Sequence, residues 1–263
     1  MRRSFILFAA GLFIVACNNE SSEPEKAMQV SDLATESLSG SIESYEETPY
    51  KVDSEGKMGD IDSCCIGFAH IDKNGNYTKW TEKDNKGKVT GETVYERFDN
   101  GMWKGSKDSK EGKPSGSTDT KIDSAGKYIL AEEFDSTGKL SMYYTNIGQN
   151  DYGEVTGWKQ FDKDSVFRQE GESKYDSILQ TSFVMKDSLG NIKSTNAYKY
   201  NDKGELTARI ITTVTKDSTT TKTTTYSYDA HDDMGNWTQR TEYDDKGKPV
   251  KILKRTYTYY KKE

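Results

Sequence analysis

The sequence contains few of the residues on which most catalytic and metal sites depend. It has two histidines, three cysteines and four prolines in 263 residues. A nucleophilic enzyme usually needs a histidine base beside its nucleophile, and only His70 and His231 could serve. No CxxC pair and no Cys/His spacing typical of a zinc site is present. We therefore expect no cofactor, no metal site and no catalysis.

Long apolar runs are also scarce. Hydrophobic residues make up 32% of the chain, and even with glycine added the apolar share stays below the usual ~45–50%. The one long run, residues 5–16, follows the basic start MRRS, and no later segment is apolar enough to span a bilayer. A basic start followed by ~7–15 apolar residues is typical of an export signal and is too short for a membrane-spanning helix. The composition predicts an exported protein with a thin core.

The apolar run ends in IVAC, with Ala16 directly before Cys17. Small residues before a cysteine resemble the lipobox of bacterial lipoproteins. That resemblance implies that residues 1–16 are a signal peptide, that Cys17 carries lipid, and that the membrane is the partner of this lipid. An ordinary signal with a chance cysteine and a short membrane anchor are the alternatives.

The polar, acidic residues after Cys17 resemble those of surface lipoproteins of the Bacteroidetes. We predict a flexible acidic tether over residues 17–48, with a short helix within residues 25–38, because such a composition cannot bury enough apolar surface to fold alone. The location implied is the bacterial outer membrane, on its periplasmic side or at the cell surface.

The charge balance argues against nucleic acid as a partner. The chain has 37 basic and 43 acidic residues. Removal of the signal peptide takes away Arg2 and Arg3, so the mature chain has 35 basic residues and a formal charge of 35 − 43 = −8. Nucleic-acid binding relies on basic groups that neutralise phosphates. The unknown partner is therefore expected to be a protein or a glycan.

A short motif recurs along the chain from residue 52 onwards. It consists of an apolar or aromatic residue, Asp or Asn, two free positions, Gly, and often Lys or Asn. Gly75, Gly101, Gly126 and Gly153 are 26, 25 and 27 residues apart, with one further turn between each pair. The copies are VDSEGK, IDKNGN, KDNKGK, IDSAGK, FDSTGK, KDSLGN, YNDKGE, HDDMGN and YDDKGK.

The motif has the chemistry of a tight hairpin turn. Asp at its first position accepts a hydrogen bond from the backbone two residues on, and Gly at its fourth position adopts positive φ at little cost. A type I turn followed by a left-handed residue is a common three-residue hairpin loop. The threonine-rich run near residue 217 predicts a long hairpin that turns at Asp217 and Ser218.

The spacing leaves about seven to ten residues between turns, enough for one strand each. We therefore predict an all-β fold, an extended antiparallel meander of roughly 14 strands built from repeated ~26-residue β-hairpins over residues 49–263. The low apolar content favours a single twisted or partly rolled sheet over a sandwich.

These copies, above all those around Tyr228, Gly235 and Tyr243, resemble YD (RHS-type) repeats, and NGMWKGS at Asn100 resembles a MORN repeat. The resemblance covers about 200 residues and implies a repeat-bearing lipoprotein of the Bacteroidetes. The chain is much shorter than the large RHS proteins and has no appended effector domain, so their toxin-enclosing role is not carried over.

Individual polar residues have simple interpretations. We interpret His70 and His231 as half-exposed residues near strand ends. Asp72 lies in DKNGN, which superficially resembles a calcium loop, but its glycine comes too early and no distal bidentate Glu follows. It is interpreted as a turn cap. Cys64 and Cys65 are adjacent, so they could form a vicinal disulfide, an intermolecular bridge or two thiols, and a structural role is favoured.

Two sets of residues could be modified or bind a partner. Asp-Ser followed by a small or aliphatic residue resembles the O-glycosylation acceptor of exported Bacteroidetes proteins, although Asp and Ser are also good turn formers. The acceptor candidates are Ser124, Ser136, Ser165, Ser177, Ser188 and Ser218. The candidate surface-contact aromatics are Trp80, Trp103, Trp158 and Trp237, for which packing on the sheet is the alternative.

The predicted function is that of a membrane-anchored repeat lipoprotein that presents a β surface for binding or scaffolding at the cell envelope, without catalysis. An enzyme that processes envelope glycans or peptides is one alternative, since 43 acidic residues make chance carboxylate pairs unavoidable. An accessory subunit of an outer-membrane complex is another.

Overall fold

The structure is a computed structural model that describes residues 30–62 and 65–261. It contains one short helix, α1 (Asp32–Thr35), followed by seventeen β-strands. The first strands are β1 (Ile42–Val52), β2 (Met58–Ile61), β3 (Ile66–Ile71), β4 (Tyr77–Lys83), β5 (Val89–Arg97), β6 (Trp103–Lys110), β7 (Lys113–Ile122), β8 (Tyr128–Asp135) and β9 (Leu140–Gln149). The others are β10 (Val155–Asp162), β11 (Phe167–Asp176), β12 (Leu179–Asp187), β13 (Ile192–Tyr200), β14 (Leu206–Val214), β15 (Thr219–His231), β16 (Trp237–Tyr243) and β17 (Pro249–Tyr259).

The turns have the predicted chemistry. At the β3–β4 turn, Asp72 Oδ1 accepts hydrogen bonds from the backbone N–H of Asn74 (2.8 Å) and Asn76 (2.9 Å). Gly75 adopts φ 82° and donates its N–H to the Asp72 carbonyl at 3.0 Å. The same side-chain pair of bonds is made at ten other turns, by Asp53, Asp84, Asp123, Asp135, Asn150, Asp162, Asp187, Asn201, Asp232 and Asp244.

Several of the described turns depart from the motif. Ser165 takes the glycine position with φ 62°. At the β11–β12 turn the residue with positive φ is Ser177 (φ 56°). The threonine-rich hairpin closes through a bond from Thr215 N to the Ser218 carbonyl (2.8 Å), so its turn is centred one residue before the predicted position.

The meander closes on itself, which corrects the prediction of an open or partly rolled sheet. Strand β1 pairs with β17 over residues 42–50, and its other edge pairs with β3 and β2. Every consecutive pair from β3 to β17 is also antiparallel. Closure satisfies both sheet edges, which an open meander would leave exposed.

The barrel has sixteen strand positions because β2 and β3 share one edge of β1. Tyr50 of β1 lies opposite Ile61, and Glu47 lies opposite Gly67. Three residue steps on β1 therefore face six steps on the other chain segment.

The register around the ring sets the dimensions of the barrel. When paired residues are followed from strand to strand once around the ring, a path that starts on β3 returns to β3 about 18 residues from its starting residue. This offset is the shear of the barrel. With ~4.8 Å between strands and ~3.3 Å per residue, a circular barrel would have a strand tilt of roughly 38° and a radius of roughly 15 Å. A sixteen-strand ring of this size is too wide for side chains alone to fill its centre.

We call the end of the barrel that carries the β3–β4 turn the proximal rim and the opposite end the distal rim. Residues 31–40, which we call the strap, lie across the inside of the proximal rim. Leu33 N donates to the Gly75 carbonyl at 3.1 Å, and Ser37 Oγ donates to the Gly204 carbonyl at 2.9 Å. Asn236 binds both the N–H of Ser39 (2.6 Å) and its carbonyl (2.9 Å). These contacts join turns on widely separated strands, so the strap lies inside the ring.

The strap revises the predicted domain boundary. Strand β1 begins at Ile42 and α1 lies at residues 32–35, within the range assigned to the tether. Leu33 and Leu38 are buried and join Ile42, Tyr45 and other residues in the main hydrophobic cluster. The predicted short helix is present. Residues 1–29, which include Cys17, lie outside the described residues. The repeat domain therefore begins before residue 49.

Candidate functional site

Tyrosines line the inner wall near the proximal rim and donate hydrogen bonds to backbone carbonyls one or two strands away. The Tyr200 hydroxyl donates to the Gln180 carbonyl at 2.8 Å, and the Tyr228 hydroxyl donates to the Leu206 carbonyl at 3.0 Å. Burial raises the pKa of Tyr200 to about 12. We call the set of five such residues the tyrosine ring, and its members are Tyr128, Tyr175, Tyr200, Tyr228 and Tyr257.

The four tryptophans lie on the inner wall, not on the outer surface where contact residues were expected. Trp237 is 5% exposed and belongs to the hydrophobic cluster, and Trp80 packs against that cluster. The ring of Trp80 covers Gly67, where an added Cβ would lie 2.2 Å from its Cζ2 atom. Trp103 and Trp158 instead line a cavity. Sheet packing therefore accounts for Trp80 and Trp237, and it also holds Trp158, whose ring covers Gly171 and packs on Phe183. Trp103 and Trp158 are the two that a ligand in the cavity would touch.

The outer wall is polar and carries pairs of opposite charge. Because side chains alternate between the faces of a strand, the neighbours of the inward aromatics point outward. Lys79 pairs with Glu92, and Lys121 Nζ lies 3.1 Å from Glu132 Oε2. Lys186 Nζ lies 2.8 Å from Glu172 Oε1. The outer wall is thus rich in exposed pairs of charges, with a few aromatic rings such as Phe161 and Phe167 among them.

A buried cation holds the strap and the closing strand together. Arg255 of β17 donates from Nε to Glu47 Oε2 of β1 at 2.8 Å and from Nη1 to Glu36 Oε2 of the strap at 3.0 Å. Its guanidinium lies 4.3 Å from the centre of the Tyr45 ring and 4.2 Å from that of Trp237. Planar stacking on aromatic faces is a property of arginine that lysine lacks. These contacts close the barrel where β1 meets β17.

A cavity of about 290 Å³ lies between the strap and the inner wall. Its charged groups are Asp32 of the strap, Arg97 of β5 and Glu154 of the β9–β10 turn. Its aromatic lining consists of Trp103, Tyr128, Tyr152 and Tyr175. A second, mostly apolar cavity of about 180 Å³ shares Trp103, Tyr128 and Val155 with the first and extends along the wall to Tyr144 and Trp158.

The larger cavity has two acidic side chains, Asp32 and Glu154, and one basic side chain, Arg97. The Arg97 guanidinium binds the Asp32 carboxylate and donates to the Gly101 carbonyl at 3.1 Å. Burial raises the pKa of Asp32, although Arg97 opposes this change. Burial, followed by the nearby Asp32 charge, raises the pKa of Glu154. Within residues 30–62 and 65–261, Glu154 has no cationic partner.

His231 is half-buried at a strand end and Asp72 caps a turn, as the sequence indicated, whereas His70 is exposed and not half-exposed. His231 ends β15, and its Nε2 lies 2.6 Å from Oε1 of the buried Glu205. His70 is exposed on β3 beside the edge of the Phe68 ring. Asp72 caps its turn, and no group of three or more His, Cys, Asp or Glu side chains suited to a metal ion occurs within the described part of the chain.

The six acceptor serines all lie in exposed turns or beside them, four near the distal rim and two, Ser124 and Ser177, near the proximal rim. Their exposure is compatible with modification, which remains a prediction. Cys65 is exposed with φ 78°, and Cys64 lies outside the described residues, so the disulfide also remains a prediction.

Of the residues that line the larger cavity, only Trp103 was a candidate from the sequence, and its charged residues were not identified. Asp32 lies in the range interpreted as tether, and Glu154 directly follows Gly153, one of the regularly spaced turn glycines. No local pattern distinguishes either from the other acidic residues, of which the chain has 43.

Comparison with solved structures supports the barrel fold. A porin-like protein from Bacteroides uniformis matches with a TM-score of 0.53 and 12% identity, over 82% of this chain and 98% of that one. A porin-like protein from Bacteroides vulgatus matches with a TM-score of 0.35 and 11% identity, over 84% and 99% of the two chains. A Photorhabdus luminescens Tc holotoxin pore matches with a TM-score of 0.32 and 15% identity, over 79% of this chain and 11% of that one.

The first match shows a shared closed antiparallel fold. No protein-family model and no curated protein matches the chain, so the resemblance to YD and MORN repeats is not confirmed at the level of family. Among the described residues, no helix is long and apolar enough to cross a membrane.

Proposed function

We propose that the chain is an exported binding protein that is held at the bacterial outer membrane by lipid on Cys17. Its barrel lies outside the bilayer, in water, and binds a ligand at its inner wall. No catalytic step is part of this proposal. The observation that carries it is the distribution of side chains, with aromatic rings and a cavity inside and pairs of charges outside.

The outer wall supports placing the barrel outside the bilayer. Lys79, Lys159 and Lys254 lie near the middle of their strands and point outward. A lysine on the lipid face of a barrel costs about 2–4 kcal/mol near the bilayer midplane, so three would cost roughly 6–12 kcal/mol. That is comparable with the entire stability of a typical domain, about 5–15 kcal/mol. Lipid contact would therefore be unfavourable for this surface.

The inner wall supports binding. Ligand sites are usually concave, mostly apolar and fitted with a few polar groups that fix orientation. The two cavities share Trp103, Tyr128 and Val155, and Asp32, Arg97 and Glu154 lie at one end. This arrangement replaces the outer β surface as the preferred contact region. Glycan or protein partners at the exposed turns, and O-glycosylation there, remain part of the proposal.

The experiment inserts the recognition site of a specific protease after Glu25 in the full-length chain. Washed membranes from cells that express this variant are treated with the protease without detergent. We expect the barrel to appear in the supernatant, because only the lipid on Cys17 would hold it. A barrel that stays with the membranes after complete cleavage would refute the proposal and favour a lipid-embedded barrel.

A further inference from the structure

We infer that the larger cavity is a binding site for an organic cation, a primary or quaternary ammonium group that lies between Glu154 and the surrounding aromatic rings. This inference deepens the proposed function, since it names the class of ligand for the inner wall. It depends on three observations about the cavity, which concern its charge, its lining and its access.

The charge of the cavity favours a cation. Asp32 is matched by Arg97, so Glu154 is the carboxylate without a counter-ion within the described part of the chain. Keeping a partly buried carboxylate ionised without a partner is unfavourable, and the pKa of Glu154 is raised accordingly. A bound cation would supply the missing partner.

The lining of the cavity also favours a cation. The faces of aromatic rings attract cations electrostatically, and rings grouped around a carboxylate are suited to ammonium groups. The cavity has one indole and three phenol rings, those of Trp103, Tyr128, Tyr152 and Tyr175. The protein already uses such contacts elsewhere, since Arg255 lies over two rings and Arg240 lies 5.1 Å from the centre of the Tyr226 ring.

The cavity is accessible and of suitable size. Its volume of about 290 Å³ would hold a small organic cation, and Glu154 and Tyr152 are half-buried rather than enclosed. The adjoining apolar cavity could accept a hydrocarbon substituent on the same ligand. A small cation with an apolar group would therefore use both cavities.

The test is calorimetric titration of the full-length protein with choline and with 3,3-dimethylbutan-1-ol, which has the same shape without the charge. We expect saturable binding of choline and binding of the neutral alcohol that is weaker by on the order of 10- to 100-fold, the range expected for losing one interaction with a charged group. Equal affinities, or no binding of either compound, would overturn the inference.

Two variants locate the site. Glu154→Gln should reduce choline affinity on the order of 10- to 100-fold, because it keeps the shape of the side chain and removes its charge. Glu242→Gln is the matched control, since Glu242 faces the interior beside Arg240, away from this cavity, and should leave binding unchanged. Equal loss in both variants, or no loss in Glu154→Gln, would place any binding elsewhere and refute the assignment.

The pH dependence provides a separate readout. The charged and titratable groups around Glu154 are Asp32 and Arg97, with the hydroxyls of Tyr128, Tyr152 and Tyr175 beyond them. Choline affinity should fall as the pH is lowered through the raised pKa of Glu154, and Glu154→Gln should weaken this dependence. Because binding is measured wherever the barrel is located, a failure here is distinguishable from a failure of the protease-release experiment.

Discussion

Replacing Arg255 with Met should loosen the closure of the barrel and the strap together. The guanidinium joins Glu47 on β1 to Glu36 on the strap, and its side chain is 9% exposed. Methionine preserves much of the volume but leaves both carboxylates without their cation. Removing one partner from a buried ion pair costs about 3–5 kcal/mol, because an uncompensated charge remains. Loss of the contacts between the guanidinium and the Tyr45 and Trp237 rings also lowers the free energy of unfolding.

The measurement is the free energy of unfolding in urea, followed by tryptophan fluorescence, with hydrogen exchange of the backbone amides as a second readout. We expect a loss of about 3–5 kcal/mol and faster exchange in β1 and β17 than in β7 and β8. The triple variant with Glu36→Gln and Glu47→Gln should recover part of the loss, since replacing all charges of a buried group is often nearly neutral.

The control is Lys121→Met, which removes a cation whose side chain is 60% exposed from its pair with Glu132. An exposed pair contributes about 0–1 kcal/mol, so this variant should unfold almost as the wild type does. The reasoning would be refuted if Arg255→Met cost less than about 1 kcal/mol, or if the two variants were equally destabilised.

Three further predictions concern the turns and the inner wall. Tyr200→Phe should lower the free energy of unfolding in urea by about 0.5–1.5 kcal/mol through loss of its bond to the Gln180 carbonyl, and Tyr198→Phe should lower it less. Gly67→Ala should lower the free energy of unfolding by about 1–3 kcal/mol, because its Cβ would meet the Trp80 ring. Gly91→Ala should lower it less, because the nearest group there is the flexible end of Glu82. Similar losses in the two variants would contradict this account. Hydrogen bonds from Asn191 and the Leu189 N–H lower the pKa of Asp187, so its stabilisation is present above the unfolded-state pKa and is lost as the pH falls through the folded-state pKa. The free energy of unfolding should therefore fall more on acidification in the wild type than in Asp187→Asn, which keeps the turn bonds as Asn150 does. An identical dependence on pH in the two proteins would count against this role.

The turns could be predicted because their determinants are adjacent in the chain. Asp72 and Gly75 are three residues apart, and the bonds that define their turn involve residues 72–76. The same local chemistry recurs, so the antiparallel meander follows from the repeat. The strand count of roughly 14 was low because the looser turns and the added strand β1 lack the full motif.

The candidate site could not be predicted in the same way. Asp32 and Glu154 are separated by 122 positions, and only the strap brings them to one cavity. The tryptophans were predicted as surface-contact residues, but alternation along a strand does not say which face of the strand is the inside. That choice depends on the curvature of the whole sheet.

The sequence by itself determined the hairpins, their order and the alternation of side chains, because each depends on interactions between residues close together in the chain. Only the tertiary structure decided that the sheet closes, that aromatic rings line its interior and that residues 31–40 cross its proximal rim. Closure depends on pairing Tyr45 with Tyr257 and Glu47 with Arg255, across more than two hundred residues of chain. Such contacts form only because the twist and tilt of all the intervening strands together bring β1 and β17 side by side. No local motif specifies that sum.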